Sequence, residues 1–138
     1  MDTTTTRLNS AIVPVGGVLI VDDEAEIRDS IVEQFRILGF GMVFEASDGA
    51  DAIEIYKARR SEISLVFMDL TMPRMNGKEA YRTLRSMDPT LPVILTSGFN
   101  QEPNLEGDER PAAFLQKPFD FRQLRNMVMQ ILQKQEGS

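Results

Sequence analysis

The sequence predicts an α/β domain: a doubly wound, five-stranded parallel sheet with helices on both faces. Three observations predict it. Short apolar runs alternate with helical patterns, as where "VLIV" at 18–21 is followed by Ile27, Ile31, Phe35 and Leu38 on one helical face. The first, third and fourth runs are nearly unbroken apolar stretches, which fits strands covered on both faces rather than strands with one wet side. Several runs stop on an oxygen-bearing side chain, most clearly "SLVFMD" at 64–69, an apolar strand that ends in Asp69.

Val18 to Val21 is the first strand, and Asp22-Asp23 follow it. The first helix stops at Gly39 and Gly41. "MVFEA", Met42 to Ala46, is the second strand. Ser47 or Asp48 caps the next helix, whose Ala52, Ile53 and Tyr56 face inward. Ser64 to Asp69 is the third strand. After a loop, Lys78 to Met87 forms a helix with Ala80, Leu84 and Met87 on one side. Pro89 and Pro92 bracket its exit into the fourth strand, Val93 to Ser97. The segment from Gly98 to Ala112 holds Pro103, Gly107 and Pro111, so a fourth helix there is short or irregular. Ala113 to Gln116 is the fifth strand. Asp120 opens a last helix with Leu124, Met127, Val128 and Ile131 inward. A flavodoxin-like strand order, 2-1-3-4-5, suits this alternation best. Residues 1–17, with a Thr run, Pro14 and Gly16-Gly17, form a flexible linker or tail. The domain proper spans 18–134, and 135–138 is a C-terminal tail.

The chain has 138 residues, enough for one compact domain with a real core. Its formal charge of −6 argues against a nucleic-acid footprint and favours cations or basic partners. Without cysteine there is no disulfide or thiolate metal site. The absence of histidine removes Ser-His and Cys-His nucleophiles, His-ligated metals and any role as a phosphohistidine donor. No apolar run reaches membrane-spanning length and no signal peptide opens the chain, so a cytoplasmic location without membrane contact is expected.

In an open parallel sheet, ligands bind outside the carboxyl ends of the strands, where the strand order reverses. In this order that point lies between strands one and three. Strand one brings Asp22 and Asp23 there, strand three Asp69, strand four Thr96 and Ser97, and strand five Lys117. Singly, each has an ordinary reading: an Asp that caps a helix or turn, a solvated Lys, a hydroxyl bonded to backbone. Together, three carboxylates this close call for a cation, and Mg²⁺ with oxygen ligands answers that need. A carboxylate, a metal, a lysine and a hydroxyl are the parts for in-line phosphoryl transfer to an Asp.

The motifs "VLIVDDE" at 18–24, "MDLTMPRMNG" at 68–77, "PVILTSG" at 92–98 and "FLQKPF" at 114–119 carry a resemblance. The chain resembles the receiver domain of two-component response regulators, most of all the C-terminal receiver of a hybrid sensor histidine kinase. The resemblance implies that Asp69 is the phospho-acceptor, taking its phosphoryl group from the phosphohistidine of a histidine kinase or histidine phosphotransfer domain. It implies that Asp23 ligates Mg²⁺ directly, that Asp22 acts mainly through a water, and that Asp69 and the backbone carbonyl of Thr71 complete the protein ligands. Lys117 is implied to contact the phosphoryl group. Counting from Pro92 and Asp69 assigns the switch hydroxyl to Ser97, with Thr96 turned into the packing. Phe114, three residues before the lysine, is the implied switch aromatic. Self-dephosphorylation is expected to be slowed by the apolar Phe99.

Such a domain carries its own phosphorylation and dephosphorylation chemistry but is not a histidine kinase by itself. It is expected to be a monomer or weak dimer. A stand-alone single-domain regulator is the alternative to an excised hybrid-kinase domain. A Mg²⁺-dependent phosphatase with an Asp nucleophile fits less well, because such enzymes commonly place a second carboxylate where this chain has Thr71.

Overall fold

Val18, Leu19, Ile20 and Val21 have no solvent exposure, and topology explains why. In the computed structural model, which describes residues 16–70, 77–98 and 113–137, β1 (Gly17–Val21) lies between β2 (Val43–Ala46) and β3 (Ile63–Asp69). β4 (Val93–Ser97) and β5 (Ala113–Gln116) continue the sheet. All pairings are parallel and the order is β2-β1-β3-β4-β5, as the sequence predicts.

Alternation along each strand sorts side chains to two faces. Leu19, Val21, Val66, Met68 and Leu95 pack with Tyr56 of α2 (Gly49–Arg59) and with Tyr81 and Leu84 of α3 (Gly77–Met87). Val18, Ile20, Leu65, Phe67 and Ile94 pack with Phe35 of α1 (Ala25–Ile37) and with Leu124 and Val128 of α4 (Phe121–Gly137). Burying a side chain of this size stabilises the fold by roughly 2 kcal/mol.

Local chemistry ends the helices where it should. Gly39 takes φ +112°, a left-handed value that favours glycine. Its N–H bonds the Arg36 carbonyl at 3.0 Å and the Phe40 N–H bonds that of Phe35 at 3.1 Å, the double bond of a Schellman stop. The Phe35 and Phe40 rings then meet edge to face at 5.4 Å. Of the two candidate caps, Asp48 begins α2, accepting from the Asp51 N–H at 2.8 Å. Asp120 and Gln123 cap α4 reciprocally: Asp120 Oδ1 accepts from the Gln123 N–H at 2.8 Å, and Gln123 Oε1 from the Asp120 N–H at 2.9 Å.

Element ends differ from the sequence reading by a residue or a few. β1 includes Gly17, packed so closely that an added Cβ would stand 2.9 Å from Met42 Cβ. β2 begins at Val43, because Met42 at the sheet edge keeps only its carbonyl in the pairing, accepting from the Val18 N–H at 3.1 Å. β3 takes in Ile63, α3 begins at Gly77, and α4 runs through Gly137, beyond residue 134. The expected helix between β4 and β5 falls on residues 99–112, and most of the expected linker on 1–15, outside the described residues.

Candidate functional site

Asp22 leaves the end of β1 and Asp69 ends β3, side by side because Val21 pairs with Met68. Both carboxylates are almost fully buried, at 1% and 3% exposure. Lys117 links them: its Nζ lies 3.3 Å from Asp22 Oδ2 and 3.2 Å from Asp69 Oδ2. Its backbone is placed by the Lys117 N–H, which donates to the Ser97 carbonyl at 2.9 Å. Burial pulls the ammonium pKa down, but the charges of Asp69 and Asp22 and the hydrogen bonds to them outweigh it, holding Lys117 above its ordinary value.

Asp23 and Glu24 follow on the exposed rim. Asp22, Asp23 and Glu24 each offer a carboxylate oxygen, all within 4.8 Å of one another. Asp22 Oδ1 also accepts from the Glu24 N–H at 2.9 Å, which folds the β1–α1 turn over the pocket. Hard oxygen donors at this spacing suit Mg²⁺. Glu24 is a member that sequence reasoning overlooked, although the third acidic letter of "DDE" was its signal.

Thr96 and Ser97, both buried, part company by strand alternation. Thr96 shares the face of Ile94 and Leu115, Ser97 that of Leu95 and Phe114. Thr96 Oγ1 has no hydrogen-bond partner among the described residues. The Thr96 carbonyl accepts from the Leu70 N–H at 2.8 Å, anchoring the chain just past Asp69. Phe114 is half-buried against the α2/α3-side cluster, on the same face as Ser97. Lys117 and Ser97 therefore reach the carboxyl edge from strands on one side of Asp69, and Asp22 from the other. Thr71 and Phe99 lie outside the described residues.

Two further residues support the site. Gly77, at the start of α3, backs onto the end of β3: a Cβ there would stand 2.5 Å from Leu70 Cα and 2.6 Å from Asp69 O. Arg28 of α1 donates from Nη1 to the Asp22 carbonyl at 2.7 Å and pairs through Nε with Glu45 Oε1 at 3.1 Å.

A doubly wound sheet with an acidic, oxygen-lined pocket where its strand order reverses belongs to the class of α/β domains that bind at the carboxyl edge. The response regulator receiver domain model matches residues 18–129, and the chain belongs to that family. The sensor kinase CckA of Brucella abortus is 35% identical over 122 residues, which span 86% of this chain and 13% of that kinase. The chemotaxis protein CheY of Thermotoga maritima is 36% identical over 104 residues, 74% of this chain and 85% of that protein. Among solved structures, the CheX–CheY–BeF3–Mg complex from Borrelia burgdorferi superposes with a TM-score of 0.78 at 30% identity, covering 86% of this chain and 90% of that one. The receiver domain from the hybrid histidine kinase CckA gives 0.70 at 31%, covering 85% of this chain and 99% of that one. This is a two-component receiver domain; such domains bind Mg²⁺ at an acidic pocket and interact with histidine kinases or phosphotransfer proteins. No helix among the described residues is long and apolar enough to cross a membrane.

Proposed function

We propose that Asp69 accepts a phosphoryl group from the phosphohistidine of a partner kinase or phosphotransfer domain. The observation that carries this reading is the ammonium of Lys117 held between two buried carboxylates, 3.2 Å from Asp69 and 3.3 Å from Asp22. An Asp69 carboxylate oxygen attacks phosphorus. The P–N bond to the partner's imidazole breaks, and its electron pair returns to the ring nitrogen. The product is an acyl phosphate on Asp69. Lys117 turns from the carboxylates to a phosphoryl oxygen, and the Ser97 hydroxyl donates to another. Asp23 directly, Asp22 mainly through a water, Asp69 and the Thr71 carbonyl would hold Mg²⁺. When bound, that ion supplies charge neutralisation for the phosphoryl oxygens. Phe114, on the face of Ser97, follows the hydroxyl inward, and the chain shifts between two states that a partner distinguishes.

The receiver unit takes in the expected 18–134 together with Gly17 of β1 and the rest of α4 to Gly137, with the residues before β1 as a linker or tail. It works in the cytoplasm as a monomer or weak dimer. We infer that it comes from a hybrid sensor histidine kinase, supported by its 35% identity to CckA across 86% of this chain. A kinase core encoded upstream in the same reading frame supports that origin, whereas a free-standing gene makes this a single-domain regulator.

Incubating the protein with Mg²⁺ and acetyl phosphate and weighing it intact tests the chemistry. A single phosphate adduct, lost in Asp69→Asn and with EDTA, is expected. No adduct, with acetyl phosphate or a cognate kinase, overturns the reading.

A further inference from the structure

Arg28 occupies a position on α1 that a sequence reader assigns to solvent, yet its side chain is only 17% exposed. Its two bonds explain the burial. Nη1 donates to the backbone carbonyl of Asp22 at 2.7 Å, and Nε bonds Glu45 Oε1 on β2 at 3.1 Å. The Asp22 N–H meanwhile bonds the Ala46 carbonyl at 3.1 Å. Both backbone polar groups of Asp22 are thus occupied, and its carboxylate is committed as well, Oδ1 to the Glu24 N–H and Oδ2 to Lys117. The turn bearing Asp22, Asp23 and Glu24 is tied through Asp22 to α1 and β2.

We propose that Arg28, oriented by Glu45, is a positioning residue that sets the affinity of the acidic pocket for Mg²⁺. It touches neither metal nor phosphoryl group. It acts by holding the Asp22 carbonyl, so that the carboxylates of Asp22 and Asp23 stand ready without rearrangement when a cation arrives. Glu45 ties the guanidinium to β2. The proposal rests on the metal reading of the pocket given above.

A purely electrostatic role for Arg28 predicts the opposite sign. Removing a positive charge beside an acidic cluster lessens repulsion of an incoming cation and tightens binding. Removing a clamp loosens the turn and weakens it. Arg28→Lys sharpens the contrast, because it keeps the charge but cannot reach both the Asp22 carbonyl and Glu45 with a planar fork.

Mg²⁺ binding to the full chain is measured by calorimetry for the parent, Arg28→Ala, Arg28→Lys and Glu45→Gln, with metal-free melting by circular dichroism alongside. Arg28→Ala is expected to weaken Mg²⁺ binding about tenfold, the low end for losing a group that orients ligands. Arg28→Lys and Glu45→Gln weaken it by smaller factors. If Arg28→Ala does not fold, those two variants carry the test. Unchanged or tighter binding in folded variants overturns the clamp alone. A parent chain that binds no Mg²⁺ overturns the metal reading, and the clamp with it.

Discussion

Thr96 and Ser97 are neighbours with opposite surroundings. Thr96 is fully buried, and its hydroxyl has no partner among the described residues. An unmade hydrogen bond in an apolar interior is a standing cost. Replacing Thr96 by Val, of nearly the same shape, is expected to stabilise the protein by about 1 kcal/mol, a rise of a few degrees in Tm, without affecting the acetyl phosphate adduct. A lower Tm for Thr96→Val would show that the hydroxyl is satisfied after all. Tyr56 presents the converse. Its hydroxyl donates to Asp88 Oδ2 at 2.9 Å. Burial first, and Asp88 second, push its pKa from 10.0 up to about 12. For Asp88, burial acts upward, but hydrogen bonds from Tyr56 and Thr90 and the charge of Arg60 prevail and hold it below its ordinary 3.8. Tyr56's contribution is therefore whole below pH 10.0 and is lost as the pH rises through about 12. That of Asp88 is present above pH 3.8 and fades as the pH falls through its lowered value. Tyr56→Phe should cost about 1 kcal/mol at neutral pH. The gap from the parent should narrow at both extremes, as followed by denaturant melts across pH. A gap constant through the alkaline range would contradict the assignment. The sequence places the side chains of Thr96 and Tyr56 inward, as they are, but leaves the state of their hydroxyls open. Tyr56 was marked as inward, but its partner sits 32 positions away on another element.

At the scale of elements, strands were easiest to read and their junctions hardest. β4 and β5 lie where the sequence places them; β4 is buried along its whole length, so its run needs no phase, and β5 is a short run that ends on the exposed Gln116. The sequence reads the helix faces well except at Val32, which packs in the core, and Tyr81, which is fully buried. Its hydroxyl accepts from Arg85 Nε at 3.2 Å, giving a polar tip a place inside. Arg85 also donates to the carbonyls of Asp88, Pro89 and Leu91, tying the α3–β4 turn. Such partners come from tertiary approach and leave no periodic trace. The β3–α3 junction is where an element-level defect should reach the site. Gly77 lies so near Leu70 and Asp69 that a methyl group cannot enter without moving backbone. Gly77→Ala is expected to destabilise the fold by roughly 1–3 kcal/mol through overpacking and to slow formation of the Asp69 adduct. The comparison is made at a temperature where both proteins are fully folded. An adduct forming at the parent rate in the folded variant would show that the junction yields without displacing Asp69.

For the whole molecule, the strand order decides where function can sit. Placing β1 beside β3 brings Asp22 and Asp69 together across 47 positions of sequence, and β5 swings Lys117 in to bridge them. The acidic ends of the strands were legible, because an apolar run that halts on a carboxylate stands out. Arg28 was not, since a charged residue on a helix reads as solvated until its partner is known. The chain's net charge of −6 is met locally by a pocket in which Asp22, Asp23 and Glu24 crowd within 4.8 Å. A divalent cation bound there relieves their mutual repulsion, so ion binding to the native state should raise stability by mass action. At about a hundred times its Kd, Mg²⁺ is expected to add about 2.7 kcal/mol. General screening of the net negative charge also stabilises, and must be separated from it. Melting the protein in MgCl2 and in NaCl of equal ionic strength does so, with Asp23→Asn as the second control. A larger rise in Tm with MgCl2, much reduced in Asp23→Asn, fits ion binding at the carboxyl edge. Equal rises in the two salts would mean that the acidic pocket responds only to ionic strength.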